Sequence, residues 1–170
     1  MTDTLNPETA RAAFVNAMGA AVTGVHIVTT EGAAGRLGLT VSAVSSVSAD
    51  PPMLLACIQR RSPIVAAIQA NGVFAVNALA DAQVAIADTF AGRPSQGRPY
   101  DFACATWDSG GLGAPLLQDA AARFECRLVT SQAAGSHSVL VGRVLRADRT
   151  PSTALAYTGR SYARPLRLAA

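Results

Sequence analysis

Along much of this chain apolar and polar residues alternate with period two, and the apolar positions favour β-branched side chains. That pattern predicts strands over Val22–Thr30, Leu39–Ser48, Met53–Gln59, Val73–Ala78, Ala122–Thr130 and Ser138–Ala147. Helix signals are fewer. Asn6-Pro7-Glu8 offers an N-cap, a proline at the first helical position and an acid in the first turn, which predicts a helix to about Met18. Ser62-Pro63 opens a second over Ile64–Asn71, closed by Gly72, and Asp81 caps a third over Ala82–Phe90, stopped by Gly92. Strands outnumber helices and do not alternate with them regularly. A repeating βαβ sheet is therefore disfavoured, and a small antiparallel barrel with two or three accessory helices is expected. Arg93–Asp101 and the glycine-rich Ser109–Pro115 read as loops. Neither an internal repeat nor a linker divides the chain, so one domain spanning 1–170 is expected.

One predicted strand has an unusual composition. In Gly38-Leu-Thr-Val-Ser-Ala-Val-Ser-Ser-Val-Ser48, seven of eleven residues are Thr, Ser, Ala or Gly. Core strands normally present bulky side chains on the buried face. Small hydroxylated residues leave room for something flat against the backbone, and they offer donors to an anion. The segment points to a cofactor with a planar part and a phosphate part.

Composition narrows the picture. Half of the 170 residues are hydrophobic and 15% are charged, which suits one folded domain with apolar surface left to bury against another copy. All fourteen basic residues are arginine, the net charge is +3, and no dense basic run suggests nucleic acid. Cys57, Cys104 and Cys126 are odd in number and far apart, so neither a zinc site nor disulfides are expected. The polar, acidic start does not read as a signal peptide, nothing reaches the length of a membrane span, and a reducing cytoplasm is the expected setting.

Catalytic motifs are sparse. The chain lacks a phosphate-loop signature and GxSxG, and Gly110-Gly111-Leu112-Gly113 does not meet GxGxxG. With two histidines, a Ser/His/Asp triad has few ways to form. If this is an enzyme, the hard chemistry belongs to a cofactor.

Several motifs occur together and in order: Gly24-Val-His-Ile-Val-Thr-Thr30, the Gly38–Ser48 segment, Asp50-Pro-Pro52, Phe74-Ala-Val-Asn77, Phe90-Ala-Gly92, and Gly135-Ser-His137 followed by Val141-Gly-Arg-Val144. Over about residues 14–162 the chain resembles the flavin reductase-like family, in particular the small reductase component of two-component flavin-dependent monooxygenases such as 4-hydroxyphenylacetate 3-monooxygenase. The resemblance implies a mainly β split barrel of Greek-key type with a few flanking helices. It also implies a homodimer and a reaction in which NADH or NADPH reduces FMN or FAD for a partner monooxygenase. An oxidase that keeps its FMN, or a flavin-binding protein without catalysis, are the alternatives.

The same resemblance places the flavin ring along Leu39, Thr40, Val41 and Ser42, with Thr40 and Ser42 toward its heteroatom edge. Ser45 and Ser46 lie toward the ribityl and phosphate end, unless their hydroxyls are satisfied by local backbone. Cys57, Ile58 and Gln59 border the cleft, and Cys57 reads as a small hydrophobe, not a nucleophile. Ser62 and Pro63 open a helix whose N-terminus suits an anion, beside Arg60 and Arg61 as phosphate partners or plain surface. Phe90, Ala91 and Gly92 fall at the flavin rim, and the Phe90–Asp101 segment lies near it as a mobile cover. His137 is implied to meet the nicotinamide, its rival role being a bond to a loop carbonyl, and Tyr162 to border the same place or pack the tail. For His26 a structural or interface role is expected. No side chain is required as a catalytic acid, base or nucleophile.

Overall fold

The computed structural model describes residues 6–166 and 168. Helix α1 (Pro7–Ala20) starts where the sequence predicts, with the Asn6 side chain accepting the Glu8 N–H at 3.0 Å. The first expected strand is broken in two, β1 (Thr23–Gly24) and β2 (His26–Thr30). Between them the backbone of Val25 turns to other partners, its N–H to the Leu155 carbonyl and its own carbonyl to the Leu79 N–H.

The strand expected over Leu39–Ser48 is also two: β3 (Leu37–Val41) and β4 (Val44–Ala49), parted at Ser42-Ala43. After β5 (Pro52–Gln59), α2 (Pro63–Asn71) ends on Gly72 at φ 70°, the left-handed cap that glycine adopts freely. Next comes β6 (Val73–Ala78). The third helix is shorter than expected. Asp81–Gln83 is a tight 3₁₀ turn and only Val84–Phe90 is α-helical (α3), because the Gln83 side chain bonds back to the Ala80 N–H at 2.9 Å. The glycine-rich loop is the turn of a short hairpin, β7 (Trp107–Ser109) and β8 (Pro115–Leu117). β9 (Ala122–Ala134) and β10 (His137–Arg149) overrun their expected spans. Register shifts at Val141/Gly142 and Val144/Arg146 let pairing continue where the alternation of the sequence falters. β11 (Ala156–Thr158) and β12 (Ser161–Ala163) join β1 in a small sheet.

Among the described residues the main sheet runs β3-β2-β6-β9-β10-β5-β4, antiparallel throughout. The return of β5 to lie beside β10 is a Greek-key arrangement. The sheet is open: β3 and β4 are its two edges, continuous in the chain through Ser42-Ala43 yet not paired with each other. The Cys57 N–H bonds the Ala43 carbonyl at 2.8 Å, carrying the β4–β5 pairing up to this seam. The architecture is consistent with a split barrel.

One core fills the barrel interior, with Val28, Val41, Leu54, Ile58, Phe74 and Leu140 packed under Ile64 and Ile68 of α2. A second lies outside β2 and β3, where Ile27, Leu79, Phe90 and Leu117 meet Phe102 and Trp107. The Phe90 ring stands edge-on to Phe102 at 4.9 Å and to Trp107 at 5.5 Å. Burial pushes the Cys126 thiol up to about 12, leaving it an inert core residue. Arg123 ties β9 to β10 and β7, bonding both oxygens of Asp148 at 2.8 and 2.9 Å and Asp108 at 2.8 Å.

Candidate cofactor cleft

Alternation along β3 sorts its side chains. Leu37, Leu39 and Val41 pack on the barrel interior, while Gly38 and Thr40 face α3. Gly38 is small for a reason the sequence does not reveal: a Cβ there would lie 2.6 Å from Cε1 of Phe90. At that position the paring-down accommodates the aromatic core. Beyond it, Thr40 and Ser42 open onto a cleft of about 140 Å³ whose other walls are Val25, Ala91, Arg93, Tyr157 and Tyr162.

Thr40, Ser42, Ala91 and Tyr162, distant in sequence, are thus brought together. Their hydroxyls differ in availability. Thr40 already donates to the Ala87 carbonyl at 2.7 Å and Ser45 to the Ser46 carbonyl at 3.2 Å. Among the described residues the Ser42 and Ser46 hydroxyls take no partner, and Ser62 caps α2 without a side-chain bond.

A second group gathers at the tip of the β9–β10 hairpin, where Gln59, Arg60, Arg61, Gly135 and Ser136 surround a polar hollow of about 470 Å³. The Arg60 N–H bonds the Ser136 carbonyl at 3.0 Å and its Nη1 the Gly135 carbonyl at 3.3 Å. His137 stands opposite Gln59 in register, exposed, with Nδ1 2.9 Å from the Ser136 hydroxyl. β5 links the two groups. Cys57, half-buried, is clasped to Ala43 at the seam, and Gln59 lies two residues further on, roughly 7 Å along a strand.

The side chains of Val41, Ile58 and Phe90 are buried in the two cores, so these residues can offer a ligand only backbone. Leu39 leans on the barrel core, and Pro63 is the first residue of α2. Gly92 ends α3 at φ 80°, and the space above its Cα is taken by Tyr100, so Ala91 lines the cleft where Gly92 does not. His26 has a buried Nδ1 without a partner among the described residues, and burial pulls its pKa down.

Val25 and Tyr157 were missed by sequence reasoning, and Arg93 was included only as part of the 90–101 segment, without a role of its own. Val25 looks like any strand residue, and Arg93 and Tyr157 carry no local pattern. Asp88 was missed too, though it organises the rim: its Oδ1 accepts the Tyr162 hydroxyl at 2.8 Å and the Arg93 Nε at 3.3 Å. Bonding to Tyr162 and Asp88 holds the Arg93 guanidinium above its ordinary range, and burial with the bond to Asp88 pushes the Tyr162 phenol up. Tyr162 is further fixed edge-on to Tyr157 at 5.5 Å.

Residues 18–165 match the model of the flavin reductase like domain. The chain belongs to the flavin reductase-like family. This flavin reductase-like chain is 44% identical over 136 residues to the FMN reductase (NADH) RutF of Variovorax paradoxus strain S110, a match covering 79% of this chain and 73% of that one. BorF, the flavin reductase component of a bacterial two-component tryptophan halogenase, superimposes with a TM-score of 0.82 at 32% identity, covering 92% of this chain and 99% of its own. Flavin reductase PheA2 superimposes at 0.84 with 29% identity, covering 96% and 100%.

The cleft fits a flavin in kind. Its volume is below the roughly 300–1,000 Å³ that encloses a whole small ligand. It suits one edge of a flat ring, with exposed Ser42 and Ala43 left to carry the remainder.

Proposed function

We propose that this chain is an NADH-dependent flavin reductase, taking FMN as its acceptor and releasing reduced flavin to a separate oxygenase. The observation that carries the reading is the seam between β3 and β4. There an unpartnered serine hydroxyl and a small-residue backbone face an open cleft, and β5 leads from it to an arginine-lined hollow. The names of the Variovorax relative and of BorF support the choice of FMN, NADH and a two-component partner.

When bound, the flavin and the nicotinamide supply the hydride chemistry themselves, and the chain supplies position and electrostatics. Ser42 and the Ser42-Ala43 backbone orient the ring. Arg61, Ser62 and the first turn of α2 meet the phosphate, with Ser46 on the approach and the Arg60 backbone bracing the hairpin tip. For the nicotinamide the reading keeps Tyr162, in the cleft wall, and His137, which lies apart from it at the hairpin tip. The test is anaerobic rapid mixing with NADH: flavin bleaching supports the reductase, and its absence leaves only a binder. Turnover without added FMN points instead to an oxidase that keeps its flavin.

His137→Ala is expected to raise KM for NADH about tenfold, a loss of roughly 1.4 kcal/mol, with flavin affinity spared. Steady-state kinetics at saturating FMN measure it, and an unchanged KM removes His137 from the site.

The proposal includes a homodimer. None of the residues of α1 is buried, with Phe14 65% and Met18 51% exposed, and helices of this length are marginal without tertiary packing. The outer face of β5 and β10 also leaves Leu55, Val139 and Val141 half-covered, and Val129 and Leu145 project from the irregular stretches of β9 and β10. A second copy offers one surface to each need. Phe14→Glu with Met18→Glu is expected to convert dimer to monomer in light scattering. A double variant that keeps the parent mass excludes α1 from the interface. The three free cysteines accord with a reducing cytoplasm. Among the described residues no helix is long and apolar enough to cross a membrane.

A further inference from the structure

One carboxylate governs two of the walls of the cleft. Arg93 and Tyr162 line it, and both bond to the same oxygen of Asp88, on α3. The backbone adds to the hold, since the Arg93 N–H bonds the Asp88 carbonyl at 3.0 Å.

Two consequences follow from donor counting. The Tyr162 proton is committed to Asp88, so the phenol shows the cleft its ring and not a donor. Arg93 gives Nε to the carboxylate and also meets the Tyr162 hydroxyl, which leaves part of its terminal N–H groups for a ligand on a side chain that is 63% exposed. In charge, guanidinium and carboxylate cancel. An anion arriving in the cleft therefore meets good hydrogen-bond donors with little net positive charge behind them.

The balance matters because flavin gains negative charge at its N1–C2=O edge on reduction, and an uncompensated arginine holds that form more tightly than the oxidised one. Resting on the reading of this cleft as the flavin site, we infer that Asp88 is a positioning and charge-balancing residue: it aims Arg93 at the flavin while offsetting its charge, so that reduced flavin is let go. It acts through Arg93 and Tyr162 and touches no reacting atom.

The experiment compares affinities for oxidised and reduced FMN, titrated separately under argon, in the parent chain and three variants. Asp88→Asn retains an acceptor for Tyr162 and Arg93 but removes the charge. It is expected to tighten reduced FMN about tenfold and oxidised FMN less than about twofold, raising the midpoint potential of bound FMN by about 30 mV for a two-electron couple. It is also expected to lower kcat wherever release of reduced flavin limits turnover. Arg93→Gln is expected to weaken reduced FMN selectively, and Asp88→Asn with Arg93→Gln to return near the Arg93→Gln value, because the carboxylate has nothing left to offset.

Equal changes in both redox states for Asp88→Asn, or additive effects in the double variant, overturn the inference. Should Asp88→Asn fail to fold, Arg93→Gln alone decides: an unchanged ratio of the two affinities is equally fatal. The underlying reading fails separately. If a further variant, Ser42→Leu, leaves both flavin affinities untouched, the ring is not in this cleft; if it weakens them while Asp88→Asn is indifferent to redox state, only the role of Asp88 falls.

Discussion

Asn77→Leu is expected to lower the free energy of unfolding by about 3 kcal/mol, the sum of two or more buried groups left without partners at roughly 1–3 kcal/mol each. Asn77 is fully buried on β6. Its Oδ1 accepts the Leu117 N–H at 2.8 Å and its Nδ2 donates to the Ile27 carbonyl at 3.1 Å. The same amide nitrogen lies 3.4 Å from the Thr29 hydroxyl and 3.5 Å from the Pro115 carbonyl, and Thr29 itself donates to Pro115 at 2.6 Å. One side chain thus stitches β2 and β6 to the β7–β8 hairpin. Leucine matches its volume but satisfies none of these groups, and the Leu117 N–H is then buried unpaired. Equilibrium urea unfolding measures the loss as a lower midpoint at constant slope. A change under about 1 kcal/mol means the hairpin reseats itself and the network counts for little.

Ser42→Leu is expected to weaken FMN binding by about thirtyfold or more, roughly 2 kcal/mol, with no matching fall in melting temperature. The two halves of that statement have separate grounds. Ser42 is exposed, its hydroxyl is free among the described residues, and it belongs to neither core, so stability has no stake in it. It is also one wall of a cleft of only about 140 Å³, opposite Tyr162 and beside Ala91, where an isobutyl group competes directly with a ring. Ser42→Ala separates sterics from bonding: loss of one neutral hydrogen bond, about 1 kcal/mol, predicts a change of about fivefold. Quenching of flavin fluorescence on titration reads both. An affinity within twofold of the parent for Ser42→Leu contradicts the placement of the ring.

Legibility of the fold in the sequence tracks how local each determinant is. The start of α1 and the end of α2 rest on caps formed within a few residues, Asn6 on Glu8 and Gly72 on Ile68, and both were readable. The antiparallel, mainly β class followed from alternation. Breaks in the strands were not readable. The period slips at Ala43-Val44 and again at Ser45-Ser46, two irregularities alike in the sequence, and only the pairing of β3 with β2 and of β4 with β5 shows that the first divides the strand. For the cleft, the hydroxyl-rich composition pointed only to the segment 38–48, and the family resemblance named Thr40, Ser42, Ala91 and Tyr162, which the structure brings together. Asp88 escaped, and Arg93 was not singled out within its loop, because an Asp on a helix and an Arg in a loop have no signature until Tyr162, 74 residues from Asp88, closes the network. Gly38 illustrates the opposite error: smallness suggestive of a ligand serves Phe90.

The unjoined edges of β3 and β4 have a bearing on traffic. Every ladder bond of the main sheet lies away from Ser42-Ala43, apart from the single clasp to Cys57. A broad flat guest can settle there and depart again without any strand having to let go of its neighbour. On the proposed reading, in which reduced flavin passes to a separate oxygenase, a berth at an unsealed margin lets the guest exchange with solvent while the paired strands stay joined.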